Sequence, residues 1–362
     1  MPLSTQERAS ALAQAAAPFP ELSRVSQSAL VSLLEWELGH PEVLDGFQKY
    51  GDLQTRAQPC TPLLHVVSGN TPHAALQTLL RGLLLGAHNL VKLPTGGLPA
   101  VSAFLARLPE ALQRLVETSE TLPETWLARA EAVLVFGNDE TIAALHRQLR
   151  PEQVFLPHGH RFSLGVIWEG ADLAPAAARA ARDVRLFDQA GCVSPQAFYV
   201  AGQGQALVFA AALAQELEAQ RSLLPASPLS SAEASAVFSL RQAFLFRSAN
   251  DPTVRLFASE DDLDWTVLFD QESAFVASPG NRCVWVKPLP PRPQDFLRAL
   301  GPTAPGLSTV SAFPLDEAAR DYLEPLGAIR LAPLGQAQEP SLLWHQDGRA
   351  VLSPLVKWTD FG

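Results

Sequence analysis

Residues 63–72 read Leu63-Leu64-His65-Val66-Val67-Ser68-Gly69-Asn70-Thr71-Pro72. Leu63 to Val67 is a short apolar run closed by Ser68-Gly69-Asn70, the pattern of a buried strand running into a loop. Pro72 suits the first turn of a helix, which the spacing carries to about Leu85 before Gly86 stops it. The unit then recurs. Asn89 to Lys92 reads as the next strand, Pro94-Thr95-Gly96-Gly97 as its turn, and Ala100 to Glu117 as a helix. Ala132 to Phe136 is a third strand, followed by Gly137-Asn138-Asp139-Glu140 and a helix from Thr141 to Arg150. Strand, loop and helix in alternation predict a doubly wound, mostly parallel sheet, whose ligands bind at the loops beyond the strand C-termini.

Working outward, residues 1 to 50 read as helices, Gln58 to Pro62 as a loop, and Phe155 to Pro157 and Leu164 to Trp168 as strands. The second half repeats the alternation. Ala171 to Asp183 is an Ala-rich helix, Cys192-Val193-Ser194-Pro195 leads into a strand over Ala197 to Val200, and Ala206 to Arg221 is a long helix. Further strands are expected at Trp265 to Phe269, Cys283 to Lys287 and Leu307 to Ala312, with a helix over Asp316 to Leu323. The fold class is therefore α/β, with two doubly wound domains and a cleft between them. Residues 1–165, joined by 326–362, are expected to bind a dinucleotide; residues 166–325 are expected to carry a nucleophile.

Composition narrows the function. With 27 Lys plus Arg against 37 Asp plus Glu, the net charge is −10 and no basic cluster stands out, so a nucleic-acid partner is not expected. Three cysteines in 362 residues make no disulfide framework. The N-terminus lacks a charged region followed by an apolar run. The longest apolar stretch, Leu79 to Ala87, is interrupted by Arg81 and far short of the roughly 20 residues of a membrane span. A cytoplasmic protein is expected, with a homo-oligomer left open.

Several residues could carry chemistry. Cys192, after Gly191, is either a nucleophile able to hold an acyl group as a thioester or a buried structural cysteine. Asn70 is either an amide aimed at a developing oxyanion or the cap of the helix that follows. Lys92 could meet a phosphate or ribose, or be an ordinary strand-end lysine. Gly137-Asn138 could form an anion site at a helix start, or be a routine turn. Gly202-Gln203-Gly204 lacks the third glycine of a dinucleotide fingerprint and reads as a plain turn. His158-Gly159-His160 lacks a third ligand, so no metal is expected.

Taken in order, Val66 to Pro72, Asn89-Leu90-Val91-Lys92, Val135-Phe136-Gly137-Asn138-Asp139-Glu140 and Phe187-Asp188-Gln189-Ala190-Gly191-Cys192-Val193-Ser194-Pro195 resemble the aldehyde dehydrogenase superfamily. Trp36-Glu37-Leu38-Gly39-His40-Pro41, His158-Gly159-His160 and Trp344-His345-Gln346-Asp347-Gly348 are similar to one branch, the LuxC-like acyl-CoA reductases related to the fatty acid reductase of bacterial bioluminescence. That resemblance implies Cys192 as the acyl-carrying nucleophile and Asn70 as an oxyanion donor. It implies Lys92, Thr95, Gly137 and Asn138 at a nicotinamide dinucleotide.

Two departures modify the expectation. The Glu that activates water in hydrolytic members falls near Pro157, which disfavours hydrolysis of a thioester; His158 or His160 could supply a proton instead. The Glu that holds the ribose hydroxyls in NAD-preferring members is Thr95, so NADPH is expected, with NADH tolerated. The activity implied is reduction of an acyl-CoA, or of an acyl group on a donor protein, to an aldehyde. Two alternatives stay open: a Cys192-dependent acyltransferase or thioesterase without redox chemistry, and a non-catalytic binding module.

Overall fold

The computed structural model describes residues 3–69 and 72–362. The chain divides into two compact units, Met1–His160 with Ser341–Gly362, and Arg161–Pro340.

In the first unit, helix Thr5–Ala16 starts at a Ser4/Glu7 capping box, and helix Gln27–Leu38 starts at Ser26 and ends at Gly39. Strands β1 (Gln48–Tyr50) and β2 (Leu53–Pro59) pair antiparallel. The unit's main sheet holds β3 (Leu63–Val66), β4 (Asn89–Lys92), β5 (Val116–Ser119), β6 (Ala132–Phe136) and β7 (Val154–His158). All of them run parallel, in the order β5-β4-β3-β6-β7. That is third, second, first, fourth, fifth in chain order, so the winding reverses at β3 and β6. In open α/β sheets such a reversal marks the ligand-binding edge.

Strand β3 is buried along its whole length, and helix Pro72–Leu85 covers the sheet with a face of buried leucines. The polar side chain in β3 is satisfied internally. His65 Nε2 meets Asn89 Oδ1 at 2.9 Å and Nδ1 meets the Thr78 hydroxyl at 2.8 Å. An amide oxygen only accepts, so Nε2 carries the proton and Nδ1 accepts from Thr78. Gly82 is required here: a Cβ on it would stand 1.9 Å from Asn89 Oδ1.

The expected helix from Ala100 to Glu117 breaks up. Helices Pro99–Leu105 and Glu110–Gln113 flank Pro109, and the remainder is strand β5. A proline cannot continue the helical hydrogen-bond ladder, and Val116 onward pairs with β4 instead.

The second unit is built on a seven-stranded sheet: β8 (Phe162–Ile167), β9 (Pro195–Val200), β10 (Val254–Ala258), β11 (Thr266–Asp270), β12 (Cys283–Pro288), β13 (Leu307–Phe313) and β14 (Arg330–Pro333). The order is β10-β11-β12-β9-β8-β13-β14, parallel except for the β10–β11 edge pair. Helix Leu173–Arg185 buries four of its six alanines, and helix Ser231–Asn250, absent from the sequence reading, adds 20 residues.

The units divide at 160/161 and 340/341, five and fifteen residues from the expected 165/166 and 325/326. β8 is central to the second sheet and β14 is its edge, so residues 161–165 and 326–340 go with that unit. Strand β15 (Val356–Phe361) pairs antiparallel with β2, reaching Pro59 and turning part of the expected Gln58–Pro62 loop into strand. Among the described residues, no helix is long and apolar enough to cross a membrane.

Candidate active site

Helix Leu173–Arg185 is followed by Phe187, Asp188 and Gln189, with φ of 54, 52 and 61°. Three successive non-glycine residues in the left-handed region cost about 1–2 kcal/mol each, so the surrounding structure must impose them. It does so from several elements. Arg282, at the foot of β12 and itself at φ 57°, pairs with Asp188 at 2.6 Å and with Asp264 at 3.0 Å. The Gln189 amide donates to Pro195 O at 2.8 Å, and Ser194 N donates to Gly191 O at 3.0 Å, which closes the loop on itself.

Two buried side chains pin the segment further. Ser163, in β8, donates to the Cys192 carbonyl at 2.7 Å and accepts from Thr309 N at 3.1 Å. The Gln338 amide nitrogen reaches the carbonyls of Asp183 and Leu186, each at 3.1 Å, and the Ser194 hydroxyl. Its amide oxygen lies 3.3 Å from where a Gly191 Cβ would stand, so glycine fits that position best.

Cys192 is exposed at the tip of this loop, whereas Cys60 and Cys283 are buried. Burial pushes the Cys283 thiol up to about 12 and raises that of Cys60, which keeps both protonated and unreactive at neutral pH. Cys192 is therefore the accessible thiol among the three, on a backbone held by residues from β8, β12 and the 335–338 turn. A fixed, exposed sulfur suits a nucleophile that must meet a reacting carbon in one geometry.

In the first unit, Lys92, Thr95, Gly137 and Asn138 all stand at the C-terminal edge of the parallel sheet. Lys92 is half-buried, and no described residue pairs with its ammonium. Thr95 is exposed in the turn after β4, where Gly96 and Gly97 take positive φ. Glu120, just past β5, accepts from Gly96 N at 2.9 Å. Asn138 caps helix Asp139–His146, its amide oxygen accepting from Thr141 N at 2.8 Å. Asp139 and Glu140 in that helix's first turn oppose a bound anion, so the routine-turn reading gains weight there. Asn70 lies outside the described residues. Sheet order and a strand-end ammonium with no partner among the described residues fit a dinucleotide, with Lys92 the residue most suited to a ribose hydroxyl or phosphate.

The tail segment has partners that sequence reading did not anticipate. Asp347 accepts from His158 Nδ1 at 2.5 Å, and the His158 ring stacks on Phe136 at 4.3 Å. Gln346 accepts from the buried Arg81 at 2.5 Å, and the Glu37 carboxylate receives the N–H groups of Val351, Leu352 and Ser353. His160 is exposed. The contacts Glu120–Gly96, Arg282–Asp188, Gln338–Ser194 and Asp347–His158 carried no local signal, because each spans 24 or more residues of sequence. Among the described residues, no group of three His, Cys, Asp or Glu side chains could hold a metal.

A family profile described as acyl-CoA reductase (LuxC) matches residues 8–358. Long-chain acyl-protein thioester reductase of Aliivibrio fischeri is 28 % identical over 273 residues, 72 % of this chain and 56 % of that protein. The chain thus spans little more than half the length of that relative. An oxidoreductase from Marinobacter aquaeolei superposes with a TM-score of 0.74 at 13 % identity, over 100 % of this chain and 86 % of the other. Aldehyde dehydrogenase C from Pseudomonas syringae, solved with NAD+ and octanal, does so with a TM-score of 0.67 at 12 % identity, over 99 % and 84 %. The fold is that of the aldehyde dehydrogenase superfamily.

Proposed function

The chain belongs to the acyl-CoA reductase (LuxC) family, and from that premise we propose that it reduces a thioester-activated acyl group to an aldehyde through an acyl-enzyme on Cys192. One observation carries this reading: of three cysteines, two are sealed in the cores and the third is exposed on a loop that several elements hold in a costly conformation. A structural cysteine would have no need of such a scaffold.

In the proposed sequence the Cys192 thiolate attacks the acyl carbonyl carbon. The Cys192–acyl bond forms, the donor's thioester bond breaks, and the donor thiolate leaves to take up a proton. His158, its Nδ1 proton held by Asp347, and the exposed His160 are the candidate proton carriers. Asn70 is the proposed oxyanion donor, by resemblance. When bound, a reduced nicotinamide supplies the hydride that turns the acyl-enzyme into a thiohemiacetal, whose collapse frees the aldehyde and the Cys192 thiolate. Lys92, Thr95 and the Gly137-Asn138 turn are proposed to hold that dinucleotide. Pro157, in β7 at about the place where hydrolytic members of the superfamily carry a Glu, supplies no base for water, which favours reduction of the thioester over its hydrolysis.

The donor is either acyl-CoA, as the family's description has it, or an acylated protein, as the relatives' names have it. Free thiols at all three cysteines suit the reducing cytoplasm in which we place the reaction.

Intact-mass measurement with acyl-CoA and with an acylated carrier protein tests this directly. The expected result is one acyl adduct on the wild-type chain, none on Cys192→Ala, and discharge of the adduct by a reduced nicotinamide dinucleotide with release of aldehyde. No adduct from either donor overturns the reading, and an adduct discharged only by water or a second thiol makes the protein a transferase or thioesterase.

A further inference from the structure

We propose that Asp183 is a positioning residue for Cys192: its carboxylate shapes the Gly335–Gln338 turn, and through Gln338 that turn braces both ends of the loop that presents the thiol. This rests on the acyl-enzyme reading above.

Helix Leu173–Arg185 buries Ala176, Ala180 and Val184 and, on the same face, Asp183, which has no exposure at all. A carboxylate persists in such a place only where donors replace its lost hydration. Two backbone groups do so. Gly335 N donates to Oδ2 at 2.7 Å and Ala337 N donates to Oδ1 at 3.1 Å. Both belong to the turn that follows β14. Gly335 holds φ 88°, and a Cβ on it would stand 3.0 Å from Arg179 Cβ, so the turn lies tight against the helix.

Gln338, buried at the end of this turn, carries the effect to the loop. Its backbone is placed by its neighbour Ala337, whose N–H is fixed on Asp183. Its amide nitrogen reaches the Asp183 and Leu186 carbonyls, each at 3.1 Å, and the Ser194 hydroxyl. Leu186 precedes the left-handed run Phe187 to Gln189, and Ser194 follows Cys192, so one side chain spans the whole loop.

The charges packed around Asp183 are basic apart from Glu339. Arg182 donates to the Gly335 carbonyl and pairs with Glu339, and Arg330 donates to the Ala337 and Gln336 carbonyls at 2.7 Å each. Arg179 lies over the Phe313 ring at 4.5 Å. Burial nevertheless outweighs the N–H groups of Gly335 and Ala337 and the charges of Arg182 and Arg330, and raises the Asp183 carboxyl to about 7. A proton on either oxygen removes one of its two acceptors, so the turn is fully anchored only while Asp183 is ionised.

The test on the full chain is a ratio of rates: acyl transfer to Cys192, from acyl-CoA or an acylated carrier protein, divided by alkylation with iodoacetamide. Both reactions need the thiolate, so its titration cancels, and only acyl transfer needs the loop's geometry. In wild type the ratio should rise about fivefold from about pH 6 to about pH 8. In Asp183→Asn that rise should shrink to about twofold or less, and at about pH 8 the ratio should lie about fivefold or more below wild type. Titration of the donor, or of His158 and His160, is common to both proteins. Denaturant unfolding at about pH 8 should find the variant no less stable than wild type, because a buried charge has been removed, whereas a merely structural role would lower stability and acyl transfer together. A wild-type ratio flat with pH, a variant ratio equal to wild type, or a destabilised variant overturns the role of Asp183 while the acyl-enzyme stands. If Cys192 takes up no acyl group in wild type, the acyl-enzyme reading fails and this inference fails with it.

Discussion

The loop that presents Cys192 and the turn that follows Lys92 are built by opposite means. The first forces Phe187, Asp188 and Gln189 into the left-handed region and holds them with side chains from distant parts of the second unit. The second places glycines where positive φ is needed and is fastened by a single bond from Glu120. A nucleophile, the role proposed for Cys192, must be fixed before its substrate arrives, and here rigidity is imposed against local preference. A turn with the role proposed for this one, holding a ribose and phosphates, can stay locally relaxed, because a ligand would supply the remaining order.

The largest effect expected from this contrast is a split response to pH. His65, at the heart of the first sheet, is pushed down from 6.5 to about 4 by burial. A depressed histidine contributes stability that is full above 6.5 and lost as pH falls towards 4, about 3 kcal/mol in all. Asp183 sits beneath the Cys192 loop, and burial raises its carboxyl from 3.8 to about 7 despite the N–H groups of Gly335 and Ala337. A raised carboxyl works the other way: its contribution is lost as pH rises from 3.8 to 7, by about 4 kcal/mol. Hydrogen exchange at pH 4.5 and 6.5, corrected for intrinsic rates, should show the first unit's core opening more at the lower pH and the second unit's core opening less. A shift in the same direction in both units breaks the contrast.

Next comes Gln338→Ala. It leaves the Asp183 and Leu186 carbonyls and the Ser194 hydroxyl without their donor, at a cost of about 2–3 kcal/mol by denaturant unfolding. Acyl transfer to Cys192 should fall about tenfold while alkylation of the thiol by iodoacetamide stays within about threefold of wild type, because only the former needs the loop's geometry. Unchanged stability would mean that the loop holds itself.

The smallest effects form a matched pair. Gly96→Ala, at φ 86° with open space around it, should cost about 1 kcal/mol from backbone strain alone. Asn281→Gly, beside Arg282 at φ 54°, should gain a few tenths of a kcal/mol by relieving such strain. Thermal melts of the two variants should move in opposite directions.

Local pattern in the sequence was enough for the alternation of strand and helix, the parallel sheets, the strand-end positions of Lys92, Gly137 and Asn138, and Cys192 in a loop. These follow from apolar periodicity, from glycine and proline, and from helix caps, all of which operate within a few residues. Tertiary structure decided the rest. Pro109 ends a helix locally, but only pairing with Lys92's strand makes Val116–Ser119 a strand and sets Glu120 beside Gly96. Asp347 meets His158 across 189 residues, Gln338 meets Ser194 across 144, and Glu37 meets Val351 across 314. Which distant side chains converge depends on strand register and on the order of strands in a sheet, and those are properties of packing that no local stretch of sequence contains.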